Sequence, residues 1–156
     1  MMAKLKVLVP VGLLLAVLVF TMLHYNGGTW LVFAADAYGN QIDFIEVWED
    51  TVLKANFTSG GGSVSVNASK QLKFVVGVRF NSTLASSQSE AVAYTRVYMN
   101  ITYNGNFIWQ NKELNNTNVS GPSGGFYWLK EEGVLPPNSL SEGQVYACSI
   151  LYQGYY

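Results

Sequence analysis

The chain has 156 residues, about one domain's worth, and 49% of them are apolar while only 12% are charged, about half the ~25% of ordinary soluble domains. That balance excludes intrinsic disorder, which requires low hydrophobicity and high net charge. Nine basic against ten acidic residues leave no stripe for a phosphate backbone, so nucleic acid is not a partner. One His and one Cys exclude a zinc site built from side chains and an intrachain disulfide.

Lys4 and Lys6 precede Val7 to Leu23, 17 residues without a charge, the lower limit for crossing a membrane as a helix. Positive charge ahead of an apolar run holds the N-terminus in the cytoplasm and sends the rest outward. Residues 1–28 therefore read as an address, and two forms of it stay open. One is an uncleaved hydrophobic helix that anchors the chain in the membrane through residues 7–23. The other is a signal peptide cut near Gly28. Both place residues 29–156 at the cell surface or outside the cell.

Thr29 to Tyr38 follows the double glycine and is rich in β-formers. As a strand it carries Trp30, Val32, Ala34 and Asp36 on one face and Leu31, Phe33, Ala35 and Ala37 on the other, the second face wholly apolar. Its residues Trp30, Leu31, Val32, Phe33, Ala35 and Ala37 are candidates for assembly. The segment either opens the protein's own sandwich or adds itself to a neighbouring copy as a donated strand.

From Asp43 onward, period-2 alternation dominates. Lys70–Phe80 puts Leu72, Phe74, Val76, Val78 and Phe80 on one face. Ala93–Tyr103 does the same with Thr95, Val97, Met99 and Ile101, and it ends at Asn104-Gly105, the best hairpin signal in the chain. Shorter strands are expected at 42–48, 52–57, 63–67, 107–109, 126–129 and 144–152. A helical turn is expected at 85–92, and loops at Gly60–Gly62, Gly121–Gly125 and Pro136–Asn138. Glu131-Glu132 reads as a polar turn. Seven or eight short strands in one exported domain, residues 29–156, make an all-β, two-sheet antiparallel sandwich behind an N-terminal hydrophobic helix.

Thirteen Asn and 21 Ser and Thr predict roughly two N-x-[ST] acceptor patterns by chance. The chain has six, at Asn56, Asn67, Asn81, Asn100, Asn115 and Asn118. Asn100 falls on the outward face of its strand, beside Arg96. These patterns are the candidate glycosylation sites and support export independently of the N-terminal segment.

Glu142-Gly143-Gln144-Val145-Tyr146-Ala147-Cys148 resembles the sixth strand of immunoglobulin-like domains, whose pattern is D-x-A-x-Y-x-C. The resemblance implies an immunoglobulin-like or fibronectin-III-like sandwich in which Tyr146 is a tyrosine corner, its hydroxyl bonded back to the loop after Pro137. The second cysteine of the antibody core is absent. A short leader, one sandwich and many acceptor patterns also resemble prokaryotic, archaeal-type surface and pilus-like subunits.

No catalytic set emerges. His24 closes the apolar run as an interfacial residue, and Cys148 alternates with Tyr146, Ile150 and Tyr152 as a buried small hydrophobe. Asp43, Glu46, Glu49 and Asp50 lack calcium-loop spacing and read as a solvated strand edge. Trp30, Trp48, Trp109 and Trp128 read mainly as core, with a sugar-stacking platform as the lesser reading. The sequence thus points to a non-enzymatic, cofactor-free structural subunit of a cell-surface or extracellular filament whose partners are copies of itself. The competing reading is a membrane-anchored accessory or virion-envelope glycoprotein.

Overall fold

The computed structural model describes residues 15–26, 29–31, 35–58 and 62–154, with side chains from Ala35 onward. Among the described residues, eleven strands and one short helix follow in chain order. They are β1 (Leu15–Asn26), β2 (Thr29–Leu31), β3 (Gln41–Glu49), β4 (Val52–Phe57), β5 (Gly62–Asn67) and β6 (Leu72–Asn81). Then come α1 (Gln88–Tyr94), β7 (Thr95–Tyr103), β8 (Asn106–Glu113), β9 (Asn115–Ser123), β10 (Phe126–Leu135) and β11 (Val145–Gly154).

The strands form two sheets, mostly antiparallel. One has the order β2-β1-β11-β7-β8, with β5 also paired to β1; the other has the order β4-β3-β6-β10-β9. Their inner faces share one core. Ile45, Val47, Phe74, Val76, Val78, Phe80 and Leu129 come from one sheet, and Val97, Met99, Ile101, Cys148, Ile150 and Tyr152 from the other. The alternation of β6 and β7 builds this core directly, because every second side chain must leave water. Ser87 caps α1 by accepting from the Glu90 N–H, and the helix stops at Thr95, where the β-branched alternation takes over.

Several expectations are revised. Ala93 and Tyr94 belong to α1, so the strand expected from Ala93 starts at Thr95. No strand is expected just before the Gly121–Gly125 loop, yet Asn115–Ser123, which takes in the start of that loop, is edge strand β9, paired along β10. Only Val119 of β9 packs toward the core, so an edge ladder rather than burial makes it a strand. Glu131-Glu132 is no turn: both lie inside β10, and Glu131 points inward, 3% exposed. The expected N-terminal helix falls in part on residues 1–14, outside the described residues; Leu15–Asn26 forms strand β1. No helix among the described residues is long and apolar enough to cross a membrane.

Candidate functional site

The most consequential feature of the fold is a slot in the first sheet. β1 lies between β11, which it pairs in parallel from Val17↔Val145 to His24↔Tyr152, and β5, which it pairs antiparallel from Leu15↔Asn67 to Phe20↔Gly62. Among the described residues β5 has no other ladder partner. The strand that joins the two edges is thus drawn from the stretch whose composition also suits a membrane span. The part that forms β1, residues 15–23, is rich in Val and Leu and lacks the Pro10 and Gly12 of the residues before it. Such a composition suits a helix in lipid and a central strand equally.

β1 leaves the slot beside Tyr152 and pairs with β2 over Asn26↔Thr29, Tyr25↔Trp30 and His24↔Leu31. Trp30 and Leu31 are therefore strand residues, while Val32 and Phe33 lie outside the described residues. The assembly strand expected to run on to Tyr38 does not do so. Ala35, just before a turn, and Ala37, within it, are exposed rather than aligned on a strand face. The cause is Asp36. Its carboxylate accepts from the Tyr38 and Asn40 backbone N–H groups at 2.8 and 2.9 Å and from Asn40 Nδ2 at 2.9 Å. Asn40, fully buried, in turn accepts from the Asn81 N–H, and Asn81 Nδ2 donates to the Tyr38 carbonyl at 2.7 Å. The turn is thereby pinned to the end of β6.

Tyr146 sits at the start of β11, 2% exposed, and its hydroxyl accepts from the Ser141 N–H at 2.6 Å. Cys148 is buried on the same inner face, and burial pushes its thiol well above the ordinary range, leaving little thiolate at neutral pH.

The six acceptor asparagines divide by what their carboxamides do. Asn67 Oδ1 accepts from Ser69 N–H and hydroxyl, and Asn81 Oδ1 accepts from Thr83 in the same way. Asn100 Oδ1 accepts from the Asn111 N–H across the β7–β8 pair. Asn56, Asn115 and Asn118 are exposed.

The acidic group from Asp43 to Asp50 is dispersed among separate tasks. Asp50 pairs with Lys70 at 2.8 Å, Glu46 accepts from Trp48 Nε1, and Glu49 accepts from the Asn67 N–H. No three metal-ligating side chains converge among the described residues. Sequence reasoning missed Glu131. Its carboxyl accepts from Asn116 Nδ2 at 2.8 Å, and burial raises it to about 7, against the opposing pull of that hydrogen bond and then of Arg96.

No family model, curated protein or solved structure matches the chain.

Proposed function

We propose that the chain is an exported structural subunit that assembles with copies of itself by strand insertion into the slot between β11 and β5. The observation that carries this reading is the strand order. In an immunoglobulin-like sandwich one sheet runs A-B-E-D and the other C-F-G. Here β3, β6, β10 and β9 fit A, B, E and D; β7 and β11 fit C and F; and β4 and β5 form an insertion between A and B. Position G, beside β11, is held by Leu15–Asn26. The corner between β10 and β11 carries Tyr146 with its bond to Ser141, the tyrosine-corner arrangement at the start of strand F.

The G position is thus filled by residues that export would withdraw. Entry of β1 into a bilayer, or its removal near Gly28, bares the edge of β11 and the whole ladder of β5. An open, apolar central edge invites another strand. The chain's own Thr29–Ala35 is a poor substitute, because the turn beginning at Asp36 is pinned to β6. Seven residues would have to supply both a strand beside Val145–Tyr152 and its connection. A neighbouring copy can hand over the same seven residues from outside, with Leu31 and Phe33 entering the core side. Glycans on the exposed acceptor asparagines would keep the outer faces soluble.

Imaging of native material with N-terminal sequencing tests this directly. Filaments built from a chain that begins near Thr29 are expected. A monomer that retains residues 1–28 in a detergent-soluble fraction would replace this reading with the anchored glycoprotein.

A further inference from the structure

A second feature lies on the outer face of the β4-β3-β6-β10-β9 sheet, well away from the slot. Trp128 is 40% exposed there. Beside it, Gly77 leaves a gap at the centre of the sheet that the Phe44 ring fills: a Cβ on Gly77 would collide with Phe44 Cε1 and Cδ1. Phe44, Gly77 and Trp128 thus floor a shallow cleft lined also by Asn118, Ser120 and Asp43, with the Lys130 ammonium over the Phe44 ring, 6.0 Å from its centroid. Aromatic faces with a rim of carboxylate, amide, hydroxyl and ammonium groups are the chemistry that holds a pyranose. The apolar C–H face of the sugar lies on the rings and its hydroxyls meet the rim.

The cleft holds about 70 Å³, far below the ~300–1,000 Å³ of pockets that enclose a free ligand. A sugar can lie across it but not sink into it. Such weak stacking needs a tether, and one is present. Asn118 and Ser120, the first and third residues of an acceptor pattern, both project outward from β9 around inward-leaning Val119. Asn118 pairs with Lys130 and Ser120 with Trp128, so Asn118 and Trp128 are diagonal cross-strand neighbours, ~7–8 Å apart in such pairs. Among the described residues no hydrogen bond engages the Asn118 carboxamide, unlike those of Asn67, Asn81 and Asn100.

We infer that Asn118 carries an N-linked glycan whose first sugar folds back onto Trp128 and Phe44, covering the aromatic cleft. Attachment to Asn118 sets a high effective concentration, so stacking too weak to capture a free sugar suffices to hold a tethered one. The glycan thereby becomes part of the outer surface of the sheet rather than a mobile appendage. The inference rests on the exported reading but is independent of strand exchange, so the two fail separately.

The test uses glycoprotein from the native source together with Asn118→Gln, Trp128→Ala and the double variant made in the same cells. Glycopeptide mass spectrometry of the native protein should find Asn118 occupied. Oxidative footprinting should find Trp128 protected in the native protein and several-fold more reactive in Asn118→Gln. Loss of the glycan should lower Tm by about 3–5 °C in the Trp128 background and by much less in the Trp128→Ala background. The same Asn118→Gln substitution in protein from a host without glycosylation machinery should change neither Trp128 reactivity nor Tm. A bare Asn118 in the native protein overturns the inference. So does equal Trp128 reactivity with and without the glycan, or a Tm loss that is the same in both backgrounds.

Discussion

The Ser141 backbone N–H donates to the Tyr146 hydroxyl at 2.6 Å, closing the corner between β10 and β11 from inside the fold. Tyr146 is buried and its ring packs 5.3 Å from that of Tyr103, so the hydroxyl cannot turn to water without moving the ring. Tyr146→Phe keeps the packing and removes the bond, and is expected to cost about 0.5–1.5 kcal/mol. Urea unfolding should move to a lower midpoint with an unchanged slope. Ser141 is exposed, so water can take over its N–H, which places the effect in the lower part of that range.

Glu131 sets a pH dependence. Its carboxyl accepts from Asn116 on β9 and feels at longer range the charges of Arg96 on β7 and Glu113 on β8, which are themselves paired at 3.0 Å. Burial raises its carboxyl from 4.5 to about 7. The folded protein therefore binds this proton more tightly than the unfolded chain. Stability from Glu131 is full below about pH 4.5 and falls as pH rises through about 7. The loss should be roughly 1–2 kcal/mol once solvent screening near the sheet edge is allowed for. Thermal unfolding of Glu131→Gln between pH 4 and 8 should show this slope flattened. An unchanged slope would assign the pH dependence to other groups.

Gly133 is required by contact between the sheets. A Cβ there would stand 2.6 Å from Leu114 Cδ2 and 3.3 Å from Trp109 Cη2, and the Trp109 ring is already held edge-on to Phe74 at 5.7 Å. Gly133→Ala is expected to destabilise the fold by about 1–3 kcal/mol, as overpacking does. Gly105, whose added Cβ would meet nothing, supplies a control of the opposite kind. Its φ of +78° makes Gly105→Ala costly through backbone strain alone, whereas Gly105→Asn should be milder. Calorimetric unfolding of the three variants separates the two causes.

The sequence makes the central strands legible because burial imposes a period of two on β6, β7 and β11, and Leu72 to Phe80 and Thr95 to Ile101 show it without interruption. The edge strand β9 escapes notice since Asn-Asn-Thr-Asn-Val-Ser-Gly-Pro-Ser has one apolar residue to offer. Its strand character comes from pairing with β10, which no local pattern encodes. Glu131 is hidden by its neighbour: two adjacent glutamates look like one polar turn, yet alternation sends one inward and the other outward. Asp36 and Asn40 are ordinary loop residues in the sequence, and only their junction with Asn81 shows why the strand beginning at Thr29 cannot extend to Tyr38. The slot is least visible of all. A stretch of Val, Leu and Phe after two lysines reads as a helix on composition, and only the parallel register with Val145–Tyr152 places it in a sheet.

The central claim is that the position beside β11 receives a strand from a neighbouring copy once Leu15–Asn26 leaves it. The most direct measurement is hydrogen exchange combined with electron microscopy on a chain that begins at Thr29, compared with its Phe33→Asp variant. The account predicts filaments from the first, with protection along Val145–Tyr152 and Gly62–Asn67 appearing only as they form. It predicts from the variant a folded monomer in which both edges exchange freely. A Thr29-initiated chain that stays monomeric at high concentration with those edges already protected, or filaments indifferent to Phe33→Asp, would contradict it.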